Sequence, residues 1–214
     1  MNLSNDFTKL FKEQSEKLKL VLAALNLPDY TFEETDRIVA NYGWYLPPFI
    51  EVSTVFSVMK LYHNNKISEM ESLLVKYFKS NLKKIESRLI DKHLERAEII
   101  KEAFHAHRKK MYYSSTILFL SQADGICDSI IFSGSKMKKA KIQIKNHPIV
   151  KILGEENPLT EHYNSKTKNS NYFSDLNRHG VMHGLSNEYG NELNSLKALS
   201  LVCCVSDFSR YKSK

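Results

Sequence analysis

Residues 176–184 read LNRHGVMHG, which brings Arg178, His179 and His183 close together, with Gly180 and Gly184 loosening the backbone around them. Arginine keeps its proton at any ordinary pH, whereas histidine exchanges one near neutrality. A fixed cation beside a proton-exchanging group suits a phosphate, or any other centre on which negative charge develops. A metal site and a purely structural cluster use the same residue types.

A metal is the first alternative. His179 and His183 are four apart and share one face of a helix, as the histidines of zinc-binding H-E-x-x-H segments do. The residue after His179 is Gly180, however, so the glutamate that serves those enzymes as general base is missing, and Glu188 stands at no family-like spacing for a third ligand. No metal is expected. Nucleophilic hydrolysis fits no better: Ser186 lacks a G-x-S-x-G elbow, and no cysteine is near. A glycine-rich phosphate loop of the G-x-x-x-x-G-K-[ST] type is also lacking.

The elements that must position this cluster are helices. With seven glycines and five prolines in 214 residues, the chain has too few turn formers for a β-sandwich. Ser4 can cap a helix running to Leu25 before Pro28, and Thr31 with Glu34 has capping-box spacing, with Gly43 as a stop. GWYLPPF (43–49) forms a rigid aromatic connection to a helix over 48–63. Ser68 and Glu71 suggest a second capping box, opening a long helix to Lys92. Helices over 94–109 and 111–132 follow, and the last spans 192–210. The 111–132 and 192–210 segments are apolar nearly all round, which predicts central, buried helices. The expected fold is all-α, with residues 1–91 an N-terminal helical region and residues 92–214 a bundle.

Between Ser133 and Asn171 the apolar pattern lapses. Lys136, Lys138, Lys139, Lys141 and Lys145 fall in one stretch without an acid among them, and the whole chain carries a formal net charge of +7. Such lysines fit either a solvated surface or contacts to the phosphates of RNA. Cys127, Cys203 and Cys204 form no C-x-x-C pattern and are expected to be reduced core residues. The N-terminus has no signal-like apolar stretch and no segment reaches membrane-spanning length, so a cytoplasmic protein without membrane association is expected.

Arg178 and His183 together form R-x-x-x-x-H, and NRHGVMHG before a final apolar helix resembles the HEPN superfamily of helical proteins. Its catalytic members are metal-independent ribonucleases with an R-x(4–6)-H motif late in the bundle. GWYLPPF and YYSSTILFLSQADGI further resemble helical proteins of phage-defence and abortive-infection type. The resemblance spans about residues 92–214. It implies an antiparallel, HEPN-like bundle with additional N-terminal helices, acting as a toxin-like endoribonuclease. Arg178 and His183 would be its catalytic pair, His179 and Asn177 would support the motif, and no cofactor is implied. Asp124 or Asp128, expected on one helix face, would be the acid facing Arg178, unless both mark an exposed stripe. Tyr189 is a candidate for stacking on a base.

Helical geometry adds a constraint. Five steps of roughly 100° turn a side chain by about 140°, so Arg178 and His183 do not lie side by side on one ideal helix. Either the helix ends near Gly184, or the site is shared across a two-fold homodimer axis, as in catalytic HEPN proteins. RNA, a second copy of the chain, and an antitoxin or defence-system protein are the partners implied. Two other readings stay open. One is a non-catalytic HEPN-like module binding RNA, a nucleotide or a protein; the other is a metal-dependent hydrolase using His179 and His183.

Overall fold

The computed structural model describes residues 32–139, 145, 148–154, 158–160 and 174–206. The helix expected near the N-terminus and Lys141 lie outside the described residues. Regular structure among those described is entirely helical: α1 (Phe32–Asn41), α2 (Val52–His63), α3 (Ile67–Lys92), a 3-10 turn (Leu94–Arg96), α4 (Ala97–Arg108), α5 (Tyr112–Ile126), α6 (Gly134–Lys139), α7 (Pro148–Gly154), α8 (Arg178–Met182) and α9 (Glu192–Val205). None of these helices is long and apolar enough to cross a membrane.

The centre of the bundle is the pair α5–α9, with α4 against α5 and with α3 touching both α4 and α9. The apolar character of α9 explains its place: Leu196, Ala198, Leu199, Leu201, Val202, Cys203 and Val205 are all buried. Residues from α1, α2 and α3 enter the same buried cluster as those of α4, α5 and α9. Apolar burial of this extent is the dominant stabilising term. The aromatic connection is part of it: Trp44 is fully buried and stacks on Phe78 of α3, ring centroids 5.6 Å apart. Gly43 is required at its turn, having φ +79, and a Cβ there would collide with the Ser174 side chain.

Several boundaries differ from expectation, each for a local reason. Helix α3 begins at Ile67 behind Lys66, which makes no side-chain cap, so Ser68 and Glu71 form no capping box. Glu71 instead reaches across to Trp44 and Lys197. Helix α5 stops at Ile126 rather than 132, because Asp128 and Ser129 both take left-handed backbone, with φ 51 and 57. The Ser129 amide then donates to the Asp124 carbonyl (2.8 Å) and the Asp128 amide to the Gly125 carbonyl (3.2 Å), closing the helix in a Schellman arrangement without glycine. The stretch after Ser133 contains a packed helix, since Ile149, Val150, Ile152 and Leu153 of α7 are buried and α7 packs on α1.

Candidate active site

The residues of LNRHGVMHG fold as one short helix held at both ends. Asn177 is the N-cap of α8: its side-chain oxygen accepts from the Gly180 amide at 2.7 Å, and its side-chain amide donates to the Pro158 carbonyl at 2.9 Å. The positioning role expected of Asn177 thus has a physical basis in an N-cap. At the other end Gly184 has φ +68, with its amide on the Val181 carbonyl (3.2 Å) and the Leu185 amide on the Gly180 carbonyl (2.8 Å). This second Schellman closure ends the helix at Met182 and leaves His183 at the C-cap.

Arg178 points back to α5. Its Nη2 lies 2.9 Å from Oδ2 of Asp124, both side chains being mostly buried at 17% and 21% exposure. Asp124 belongs to the last turn of α5, and the left-handed pair Asp128–Ser129 returns the chain so that the Phe132 ring lies 4.7 Å from the Arg178 guanidinium carbon. A planar cation over an aromatic face is a favourable arrangement. The contact to Asp124 is a single one: among the described residues, Arg178 Nε and Asp124 Oδ1 are buried and make no hydrogen bond. Asp128, the other candidate acid, lies beyond the end of α5 and is exposed, so the two aspartates do not share a helix face.

The histidines occupy the other side of α8. His179 and His183, one turn apart, bring their rings to 4.6 Å between centroids with a 49° tilt. His183 is exposed and His179 half-buried. Among the described residues no hydrogen bond joins Arg178 to His183. Within one chain, therefore, the arginine is drawn inward to Asp124 while His183 faces outward. No group of three or more His, Cys, Asp and Glu side chains among the described residues is arranged to hold a metal ion.

The remaining candidate residues surround this helix or lie apart from it. Lys136, Lys138 and Lys139 all fall on α6, and Lys136 donates from its ammonium to the Asp128 carbonyl at 2.8 Å. This ties the basic helix to the turn that supports Phe132. Tyr189 is not free to stack on a base: it is 9% exposed and packs edge-on against Tyr113, with centroids 5.1 Å apart. Sequence reasoning missed Phe132, which no spacing rule connects to Arg178 once a left-handed turn intervenes. It also missed the buried ion pair of Lys197 and Glu71. A lysine inside the apolar stretch LKALSLVCCV was a signal available for that pair, because a buried ammonium requires a partner.

No family model, no curated protein and no solved structure matches this chain.

Proposed function

We propose that the protein is a metal-independent endoribonuclease of the HEPN type, with Arg178 and His183 as its catalytic pair. The observation that supports this reading best is the α8 cluster, in which a capped, five-residue helix holds Arg178 against Asp124 and offers His183 to solvent. The ribose 2′-OH attacks the adjacent phosphorus and the bond from phosphorus to O5′ breaks. His183 removes the 2′-OH proton, and the departing O5′ takes up a proton, from water or from the neighbouring imidazole of His179. The products are a 2′,3′-cyclic phosphate and a 5′-hydroxyl. Arg178 stabilises the additional negative charge of the five-coordinate phosphorus, for which its planar donor fork is suited. DNA has no 2′-OH and is spared. The basic helix α6, anchored to the same turn as Phe132, contacts the RNA backbone.

Because Arg178 and His183 face different ways within one chain, the working site is shared by two copies related by a two-fold axis. Exposed Met111 at the N-cap of α5 precedes exposed Tyr113 and Ile117 in the helix, and Tyr113 donates to the Asn187 carbonyl, two residues after exposed Leu185, which puts exposed apolar side chains near α8. Purified protein is incubated with RNA and a chelator, and the new ends are analysed. Cleavage is expected to persist with cyclic phosphate ends and to be lost in Arg178→Ala and in His183→Ala. Mixing those two inactive variants after unfolding and refolding is expected to restore about a quarter of the activity, because random pairing leaves one composite site intact in each mixed dimer. No recovery places both groups of a working site in one chain.

The engagement of Arg178 by Asp124 and Phe132 favours a second reading, a non-catalytic helical module in which the arginine is a strut. Folded wild-type protein that binds RNA and never cleaves it supports that alternative.

A further inference from the structure

A buried ion pair outside the R-x-x-x-x-H motif adjoins a second candidate site. Lys197 is 2% exposed in the middle of α9, and its ammonium lies 2.9 Å from Oε1 of Glu71. The indole N–H of the fully buried Trp44 donates to that same oxygen at 3.3 Å. Both partners therefore fix one carboxylate oxygen. Oε2 makes no hydrogen bond among the described residues, and Glu71 lines an open groove of about 700 Å³ between α3 and α9. Burial holds the Lys197 ammonium below its ordinary pKa, while Glu71 and, less strongly, Asp175 pull it back up. Apolar side chains usually replace a buried ion pair at no loss of stability, so packing alone gives no reason for charge here.

The groove follows a stripe of α3. Glu71, Ser72, Val75, Lys76 and Lys79 succeed one another along its exposed side, and Leu193 of α9 forms the facing wall. Lys76 has no ion-pair partner among the described residues, and Lys79 is engaged only in a surface pair with Glu192 at 2.9 Å, a kind of contact that exchanges easily. Helical rise separates Glu71 from Lys76 by about 7.5 Å and from Lys79 by about 12 Å. The groove thus offers the remaining carboxylate oxygen of Glu71 at one end, an apolar strip in the middle, and the ammonium groups of Lys76 and Lys79 with the Ser80 hydroxyl toward the other.

We propose that this groove binds a mononucleotide: the base amino group donates to Glu71, the base and ribose lie along Val75 and Leu193, and the phosphate meets Lys76 and Lys79. A free amino acid also carries a donor end and an anionic end, but a single carbon separates them, too little to span from Glu71 to the lysines. A ligand of nucleotide size suits the volume. The site is independent of the proposed cleavage reaction, since it shares no residue with α8.

The test titrates the full chain with AMP, GMP, CMP and UMP by calorimetry, with inorganic phosphate and free amino acids as comparison probes. Saturable binding of a nucleotide bearing a base amino group is expected in wild type and, unchanged, in Arg178→Ala. Lys76→Glu, a surface change that leaves the core intact, is expected to weaken it roughly tenfold or more, the effect of losing one charged hydrogen bond. Glu71→Gln is expected to weaken it similarly, its fold checked by circular dichroism. Absence of saturable binding up to millimolar nucleotide overturns the proposal. So does equally tight binding of phosphate alone or of an amino acid, and so does binding that Arg178→Ala abolishes while Lys76→Glu leaves it intact.

Discussion

The pair of Lys197 and Glu71 makes an asymmetric prediction about stability. At 2.9 Å and an effective dielectric constant of 20, the gross attraction is about 6 kcal/mol. Desolvation opposes it by several kcal/mol per buried ion. That cost falls mainly on Lys197, at 2% exposure, because Glu71 retains 27% of its surface. Lys197→Met keeps an unbranched chain in the core, removes the buried ammonium, and leaves Glu71 with water and the Trp44 N–H. Stability is expected to stay level or to rise, by as much as roughly 1–4 kcal/mol. Glu71→Ala strands the ammonium in the core and is expected to cost roughly 3–5 kcal/mol near neutral pH. That deficit shrinks as the pH is raised: the folded-state pKa of Lys197 lies below 10.5, so in this window the unfolded chain binds the extra proton. Urea unfolding followed by far-ultraviolet circular dichroism measures each variant, with equal slopes required for comparison. The double variant should be as stable as Lys197→Met alone. If Lys197→Met costs as much as Glu71→Ala, the pair stabilises the fold, and the premise that it is held for a ligand fails.

Acid should weaken the fold before carboxylates titrate. Burial depresses His93 and His107 below 6.5, so as pH falls through that value the unfolded chain takes up their protons first, and stability declines until the folded-state values are passed. Unfolding midpoints from pH 8 to pH 5 measure this, and His107→Gln should flatten part of the slope. Gly184→Ala should cost roughly 1–2 kcal/mol from left-handed backbone alone, since no atom lies within 4 Å of the added Cβ. Thermal unfolding reads that cost, which should shrink for Gly184→Asn. Changing Lys136, Lys138, Lys139 and Lys141 together to Gln should lower RNA affinity and flatten its salt dependence by about 0.7 in log–log slope per lost phosphate contact with single strands. Single-turnover cleavage at saturating RNA should be unaffected, because these charges hold ground state and transition state alike.

Much of the helical frame was legible because its signals are local. The unbroken apolar character of LKALSLVCCV and YYSSTILFL identified α9 and α5 as the centre, and Gly43 marked a helix end that its positive φ requires. The Asp124–Arg178 pairing was legible in part: an acid on a buried helix must find water or a cation, but spacing alone left Asp124, Asp128 and an exposed stripe equally open. What stayed hidden depends on conformation that composition does not encode. Asp128 and Ser129 end α5 in left-handed backbone where a glycine would have announced the turn, so Phe132 was assigned to the helix instead of to the arginine. The Ser68–Glu71 spacing was a true capping-box pattern, but the packing of α3 on α9 gave Glu71 a buried partner more than a hundred residues away.

The contact between Arg178 and Asp124 bears on the choice between a strut and a catalytic arginine. A guanidinium that only braces a fold gains most from a two-point grip, with Nε and one Nη on the two carboxylate oxygens. Here Nη2 alone meets Oδ2, while Nε and Oδ1 are buried and make no hydrogen bond among the described residues. Each such group costs free energy relative to a paired one. A strut would relax toward the second contact unless the surroundings hold it off, and Phe132 lies over the guanidinium where it can do so. The arginine is therefore fixed in position but incompletely satisfied, and an acceptor with several oxygens, such as a phosphate, offers it what the carboxylate does not. Under the proposed function, that unused hydrogen-bonding capacity is what the incoming phosphate takes up.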